Sequence, residues 1–347
     1  MKKIKPEKLK KGSTIAIISP SWGGPSLFPG IYEKAISNLK EIFQLNIIEY
    51  PTARMDDRKL YENPRLRAND INDAFKDKSV DGIFASIGGS DSIRILPYLD
   101  IPSILENPKI IMGFSDSVTF LTYLNTKGLV TFHGPSMMAG WAQIHNFDYL
   151  QKYYSEILME NRESRDILPF PTWSNGYPSW ADNSTIGEVN ELQPNTHGFL
   201  WLQGKRTVRG EIWGGCMEVI DWLKGTQYWP EPGFWNNRIL MLETSEEKPT
   251  PEEVGFSLRN LGIQGVFEEL SGIMIGRPKD YNEEEKQKLY DTVLRIVAEE
   301  FGNREIPIIA NMDFGHTDPN MIIPMGIRTE IVPVEQTIKF VEKIFED

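Results

Sequence analysis

Short apolar runs alternate with stretches of helical spacing through the first half of the chain. Thr14 to Ser19 is an apolar strand pattern, and Tyr32 to Phe43 has helical spacing. Leu45 to Glu49 predicts the next strand. Asn69 to Lys76 predicts a helix, with Ile71 and Phe75 four apart. Gly82 to Ile87, Ile110 to Met112 and Leu129 to Phe132 are further strand patterns. Runs this short and continuously apolar suit strands buried on both faces, and the helices between them imply a parallel sheet with both faces covered. Ligands of such sheets sit at the carboxyl ends of the strands. Gly88-Gly89 and Ser115 both fall at such ends.

The pattern breaks between residues 160 and 200, where Asn, Pro, Ser, Trp and Gly dominate. Long irregular segments inside compact proteins are often functional, and Trp173, Tyr177 and Trp180 give this one surface to pack on something. Regular patterning returns with Arg209 to Gly215 and the strand pattern Arg238 to Glu243. Thr250 is an N-cap before Pro251 and the first-turn acids Glu252 and Glu253. Ile273 to Ile275, Ile306 to Ala310 and Ile322 to Ile327 predict strands, and Glu283 to Phe301 a long amphipathic helix. The expectation is an α/β protein of two domains, residues 1–165 and 201–347, joined by a Trp-rich loop over 166–200.

Composition narrows the function classes. With a formal net charge of −12 the chain would repel a phosphate backbone, so general nucleic-acid binding is not expected. The single cysteine, Cys216, excludes an internal disulfide and reads as a small buried residue. The basic N-terminus is followed by an apolar run too short for a signal sequence, and no run reaches membrane-span length, so the cytoplasm is the default location. The histidines His133, His145, His197 and His316 show no metal-ligand spacing, and no metal is expected.

The chemistry centres on Ile110-Ile111-Met112-Gly113-Phe114-Ser115-Asp116-Ser117, followed by an apolar-periodic segment from Val118 to Leu124. A buried strand, a Gly-x-Ser turn and a helix make the layout of a nucleophile elbow, which lifts a serine hydroxyl out of the fold and aims backbone N–H groups at its target. A base and an orienting acid must come from elsewhere. His316, in a Gly-rich turn just after the strand Ile306 to Ala310, is a candidate base; a plain turn histidine is the alternative. Glu243 ends an apolar strand, where a carboxylate is costly unless paired; a histidine or a salt bridge would supply the partner. Glu246 and Glu247 read as solvated. Ser86-Ile87-Gly88-Gly89-Ser90-Asp91-Ser92 could bring backbone amides close to an oxyanion or phosphate, or be a tight turn. Ser21-Trp22-Gly23-Gly24-Pro25 lacks the marks of a P-loop or dinucleotide fingerprint. His133, before Gly134-Pro135, reads as structural.

These pieces occur in the order found in a known family. Ser86 to Pro97, Gly113 to Asp116, Phe132 to Pro135, Leu242 to Glu247 and Asn311 to Thr317 together resemble the serine-type LD-carboxypeptidases, and more closely their microcin C self-immunity subgroup. The resemblance implies a flavodoxin-like N-terminal domain with the elbow, a C-terminal swivelling-type α/β domain, a homodimer, and no metal or cofactor. It implies a triad of Ser115, Glu243 and His316, an oxyanion hole from the backbone amides of Gly89 and Asp116, and substrate contacts from Gly88, Ser90 and Trp180. Cell-wall members carry Arg-Gly-Gly-Tyr-Gly where this chain has Ile87-Gly88-Gly89-Ser90-Asp91. The Trp-rich loop is similar to that of the self-immunity subgroup, where a tryptophan stacks on a nucleobase, and Trp180 matches it. One departure is Cys216, which stands after Gly214-Gly215 where the family often has Asn. The implied activity is hydrolysis of the amide between an acidic residue and a nucleotide-like group, on a small peptidyl- or aminoacyl-nucleotide substrate; the alternative is a muropeptide LD-carboxypeptidase. A non-catalytic binding protein of the same shape remains open, whereas an amidotransferase-like or phosphate-loop protein lacks its nucleophile or loop here.

Overall fold

The computed structural model describes residues 3–346. The first half supplies β1 (Thr14–Ile18), β2 (Asn46–Glu49), β3 (Gly82–Ala85), β4 (Ile110–Gly113) and β5 (Thr131–His133). They pair in parallel in the order β5-β4-β3-β1-β2. Every residue of β3, β4 and β5 is buried, as their continuous apolar runs require. The helices Pro29–Glu41, Pro64–Lys76 and Val118–Thr126 connect these strands. Strand β4 lies between β3 and β5, so the loop after Ala85 and the turn after Gly113 emerge side by side.

The rest of the chain supplies β6 (Arg165–Asp166), β7 (Thr172–Trp173), β8 (Gln193–Pro194), β9 (Leu200–Gln203), β10 (Val208–Cys216), β11 (Arg238–Glu243), β12 (Gly272–Gly276), β13 (Ile308–Met312), β14 (Ile323–Met325), β15 (Arg328–Val332) and β16 (Thr337–Phe340). An eight-stranded sheet runs β6-β16-β15-β10-β11-β12-β13-β9, and its centre, β10 to β13, is parallel. The helix Pro251–Ile263 opens with a capping box: Thr250 Oγ1 accepts from the Glu253 N–H at 3.2 Å and the Glu253 carboxylate accepts from the Thr250 N–H at 2.7 Å. The long amphipathic pattern forms the α-helix Glu283–Leu294, which continues as the π-helical segment Arg295–Glu300. Among the described residues no helix is long and apolar enough to cross a membrane.

The two sheets are interlocked. Strand β14 belongs to the C-terminal third of the chain but pairs antiparallel with β5, where Ile323 faces His133, and so becomes an edge of the first sheet. Its apolar residues complete the N-terminal core, and two tyrosines of the helix Asp148–Met159, Tyr154 buried and Tyr153 half-buried, pin the segment before it. Tyr154 Oη donates to Asn320 O at 2.5 Å, and Tyr153 Oη donates to Ile322 O at 2.8 Å. On the other side, β6 pairs with β16 of the second sheet. The Trp213 indole N–H of β10 donates to Thr122 O of the helix that follows the elbow, at 3.3 Å.

The tyrosine pair gives a stability test. Replacing both with Phe keeps the rings and strands two carbonyls in a dry environment, at about 1–3 kcal/mol each. We expect Tyr153→Phe/Tyr154→Phe to lower unfolding free energy by about 2–4 kcal/mol in urea denaturation. A change within about 0.5 kcal/mol would show that water or other donors replace the hydroxyls.

Candidate active site

The apolar strand β4 ends at Gly113, Phe114 is extended, and Ser115 then adopts φ +56°, a left-handed conformation that a residue with a Cβ rarely takes. Such strain is held only where the surroundings enforce it. Here the 3₁₀ turn Ser115–Ser117 and the helix Val118–Thr126 fix the exit of the chain. Gly88 packs directly on the serine. A Cβ there would stand 3.0 Å from Ser115 Oγ and 3.4 Å from the Asp116 nitrogen, so only glycine leaves this space to a ligand. The Gly89 N–H donates no hydrogen bond among the described residues.

Buried charge holds these two loops in place. The Asp116 carboxylate, wholly buried, accepts from the N–H groups of Asp91 at 3.0 Å and Ser92 at 2.9 Å, and from Ser92 Oγ at 2.8 Å. Burial pushes its carboxyl up, and hydrogen bonds from Ser21 and Ser92 oppose the shift. Asp91 in turn forms a two-pronged pair with the fully buried Arg67, at 2.6 and 2.9 Å, while Arg67 also donates to Pro20 O at 2.9 Å. Burial works to raise the Asp91 carboxyl, but Arg67, Arg94 and Ser21 outweigh it and hold it low. The loops after β1, β3 and β4 thereby become one rigid unit.

From the second sheet, Glu243 ends β11 with 1% of its surface exposed, and its Oε2 lies 2.7 Å from His316 Nδ1. Burial pushes the Glu243 carboxyl up, against the attraction of His316. For His316, burial favours the neutral ring, but Glu243 and then Glu246 outweigh it and raise the imidazole to about 10. Glu246 corrects the sequence reading. Its side chain is mostly exposed, yet the turn closed by Lys248 N–H on Ser245 O folds its Oε2 back to 3.0 Å from His316 Nε2. Glu246 is therefore a partner of the imidazole and not a merely solvated acid. His133, as read, stands apart from the pocket lining. It is fully buried between Phe114 and Phe314, and burial together with the nearby His316 charge holds it down at about 3.

Ser115 and His316 face one pocket of about 420 Å³, together with Gly88 and Gly89. Its opposite wall is aromatic. Trp180 lies nearly parallel to Tyr177, at 5.2 Å and 13°, and to Trp22, at 6.2 Å and 20°, with Phe28 edge-on. Glu246, Lys279 and Asp318 bring charge to the same lining. Glu243 and Asp116 sit behind it as buried supports, and Ser90 is exposed and off the lining. Cys216 is buried and off the lining, and burial together with Glu243 and Glu218 pushes its thiol far up, which disfavours the thiolate. Sequence reasoning did not single out Trp22, Lys279 or Asp318. Their signals were faint: an aromatic inside a glycine-rich turn, a cation three residues past the end of β12, and an acid two residues past His316. Among the described residues no cluster of His, Cys, Asp and Glu could hold a metal ion.

Residues 15–134 match the model of the LD-carboxypeptidase N-terminal domain, and residues 209–331 that of the LD-carboxypeptidase C-terminal domain. The chain is 28% identical over 269 residues to the microcin C7 self-immunity protein MccF of Escherichia coli, covering 76% of this chain and 75% of that protein. It is 25% identical to a probable murein peptide carboxypeptidase of Bacillus subtilis, over 96% of this chain and 93% of that one. The crystal structure of an MccF-like protein from Streptococcus pneumoniae in complex with AMP superposes with a TM-score of 0.83 at 30% identity, covering 95% of this chain and 98% of that one. With both domain models matched in order across most of its length, the chain belongs to the LD-carboxypeptidase family.

Proposed function

We propose that the protein is a serine hydrolase that cleaves the amide joining an acidic residue to a nucleotide-like group, with Ser115 as nucleophile, His316 as general base and Glu243 as its orienting acid. The observation that carries this reading is the meeting of a strained serine, a glutamate-bound histidine and a stacked aromatic wall in one pocket. Ser115 Oγ attacks the substrate carbonyl while His316 Nε2 takes its proton, and the carbonyl oxygen becomes an oxyanion received by the N–H groups of Gly89 and Asp116. Collapse expels the amine, which takes the proton back from His316, and water then hydrolyses the acyl-enzyme by the same steps. Glu246 Oε2 lies 3.0 Å from Nε2 at rest without forming a hydrogen bond to it, and a swing of that carboxylate clears the path between the imidazole and Ser115.

Two further features favour a nucleotide-like, acidic substrate. A planar base extends the Trp22–Trp180–Tyr177 stack, and Lys279, which makes no ion pair among the described residues, offers a cation to an acidic group. The S. pneumoniae relative was crystallised with AMP, and the E. coli relative is a self-immunity protein. The relative from B. subtilis favours a second reading, a muropeptide carboxypeptidase on the same serine. Incubating the protein separately with aspartyl sulfamoyl-adenosine and with an LD-tetrapeptide, followed by mass spectrometry, decides between them.

Three outcomes are expected. Ser115→Ala removes the nucleophile without touching a packed side chain, so turnover falls by about 10³-fold or more while the melting temperature holds; turnover near wild type would exclude an acyl-enzyme on Ser115. The second concerns pH. An imidazole raised to about 10 is protonated at neutral pH and cannot accept a proton, so kcat/KM climbs as pH rises through its ionisation. Glu246→Gln removes a carboxylate that stabilises the imidazolium, so this rising limb moves to lower pH, by about one unit. A limb that stays put or moves upward would separate His316 from the base. Third, Trp180→Ala should weaken a nucleoside-bearing substrate by about 5- to 150-fold and spare one without a base. Equal losses on both would make Trp180 a support for the loop and not a stacking platform.

A further inference from the structure

Five carboxylates are buried among the described residues: Asp70, Asp116, Glu243, Asp313 and Asp318. Four have partners. Asp70 accepts from the Thr52 N–H, Asp116 from Asp91 and Ser92, Glu243 binds His316, and Asp313 binds Arg277 and the Phe170 N–H. Asp318 is the exception. Its main chain is fixed by two hydrogen bonds with Ser174, at 2.6 and 3.0 Å, but no hydrogen bond reaches its carboxylate. It is 5% exposed, and what remains exposed belongs to the pocket that holds Ser115. Buried carboxylates are normally paired, and a rigidly held one left bare in a ligand pocket is a vacancy for a donor.

The charges around it indicate which donor. Lys279 and His316 both act on Asp318 through space, and neither forms an ion pair with it. His316 is committed to Glu243 and Glu246. Burial pushes the Asp318 carboxyl up to about 6 despite these two cations, so they leave its charge incompletely compensated. A neutral donor would satisfy one oxygen and leave the charge, whereas an ammonium group does both.

We propose that Asp318 receives a free ammonium group of the substrate's acyl part, so that the enzyme selects acyl groups whose amine is unblocked. Lys279, on the same lining, then faces an anionic group, and an aminoacyl unit with a free amine and an acidic side chain satisfies both residues. This rests on the amide-hydrolase reading of the pocket, and Asp318 acts here as a specificity residue that touches substrate away from the reacting atoms.

The test compares amine-free and N-acetylated forms of two substrates, aspartyl sulfamoyl-adenosine and an LD-tetrapeptide with lysine at its third position, on wild type and Asp318→Asn. Asn has the same shape and the native carboxylate has no hydrogen bond to lose, so the fold should persist; a thermal melt checks it. On whichever scaffold is cleaved, wild type should prefer the free amine by at least about tenfold in kcat/KM, and in Asp318→Asn that ratio should fall to near one. Binding of the same pairs to Ser115→Ala, with and without Asp318→Asn, should show the same collapse in Kd ratio. A wild type that cleaves both forms equally keeps the hydrolase reading and loses the amine site. A variant that loses activity on both forms alike, its ratio unchanged, would show that Asp318 acts through His316. Cleavage of neither scaffold overturns the reading and the amine site with it.

Discussion

The site depends on one buried hydrogen bond, that between Glu243 and His316. A carboxylate taken out of water at the end of a sheet strand costs several kcal/mol unless a partner meets it. Among the described residues only the imidazole does so, at 2.7 Å, and Glu243 Oε1 has no hydrogen-bond partner. The approach is tight. A Cβ on Gly315 would stand 2.6 Å from Glu243 Oε2, so the residue before His316 must be glycine for the ring to arrive. That requirement sets the order of the second sheet, in which β11, β12 and β13 lie side by side with their carboxyl ends together. It also sets the charge of the ring, because a buried acid that needs a cation holds the imidazole protonated.

The first sheet meets this pair through strain and buried charge. Ser115 stays in its left-handed conformation because neighbours on every side are fixed. Asp116 is tied to the loop after β3, and that loop is tied by Asp91 to Arg67 and thence to the loop after β1. Leaving the fully buried Arg67 without its half-buried partner Asp91 would cost up to about 3–5 kcal/mol, more than the ~1–3 kcal/mol that strained backbone stores. The network therefore has stability in reserve over the strain it maintains. Interlocking serves the same end. With β14 in the first sheet and β10 against the helix after the elbow, Ser115 and His316 are not on bodies free to drift apart.

Much of this was legible in the chain, for reasons that differ by residue. Parallel strands buried on both faces must be continuous apolar runs, so Ile15 to Ile18 and Ile110 to Met112 announced themselves, and the Thr250–Glu253 box marked a helix start to the residue. Ser115 was visible because an elbow is a local motif. The link between Glu243 and His316 was not local: the two are 73 residues apart, and ordered resemblance to a family pointed to it before geometry did. What stayed hidden was set by strand order and turn direction. Ile322 to Ile327 read as a strand, but nothing in its apolar residues says which sheet it joins. Glu246 has the look of a surface acid, and only the fold-back of its turn brings it to Nε2. Lys279 and Asp318 come from different loops, and their shared pocket exists only once β12 and β13 are neighbours.

The charge layout of the pocket bears on how a substrate finds it. The chain carries a formal net charge of −12, so its far field repels the anionic, nucleotide-like ligand proposed above. In physiological salt that field fades beyond about 8 Å, and attraction must come from contacts at shorter range. Lys279 supplies one cation, and the raised His316 another, but Glu246 already holds the latter. An acidic group entering beside His316 meets Glu246 as a like charge and favours its outward swing. That same movement clears the approach to Nε2 and removes the lesser of the two carboxylates that hold the ring protonated, Glu243 being the greater. On the proposed reading, the aromatic wall, indifferent to charge, supplies the affinity that the long-range field withholds.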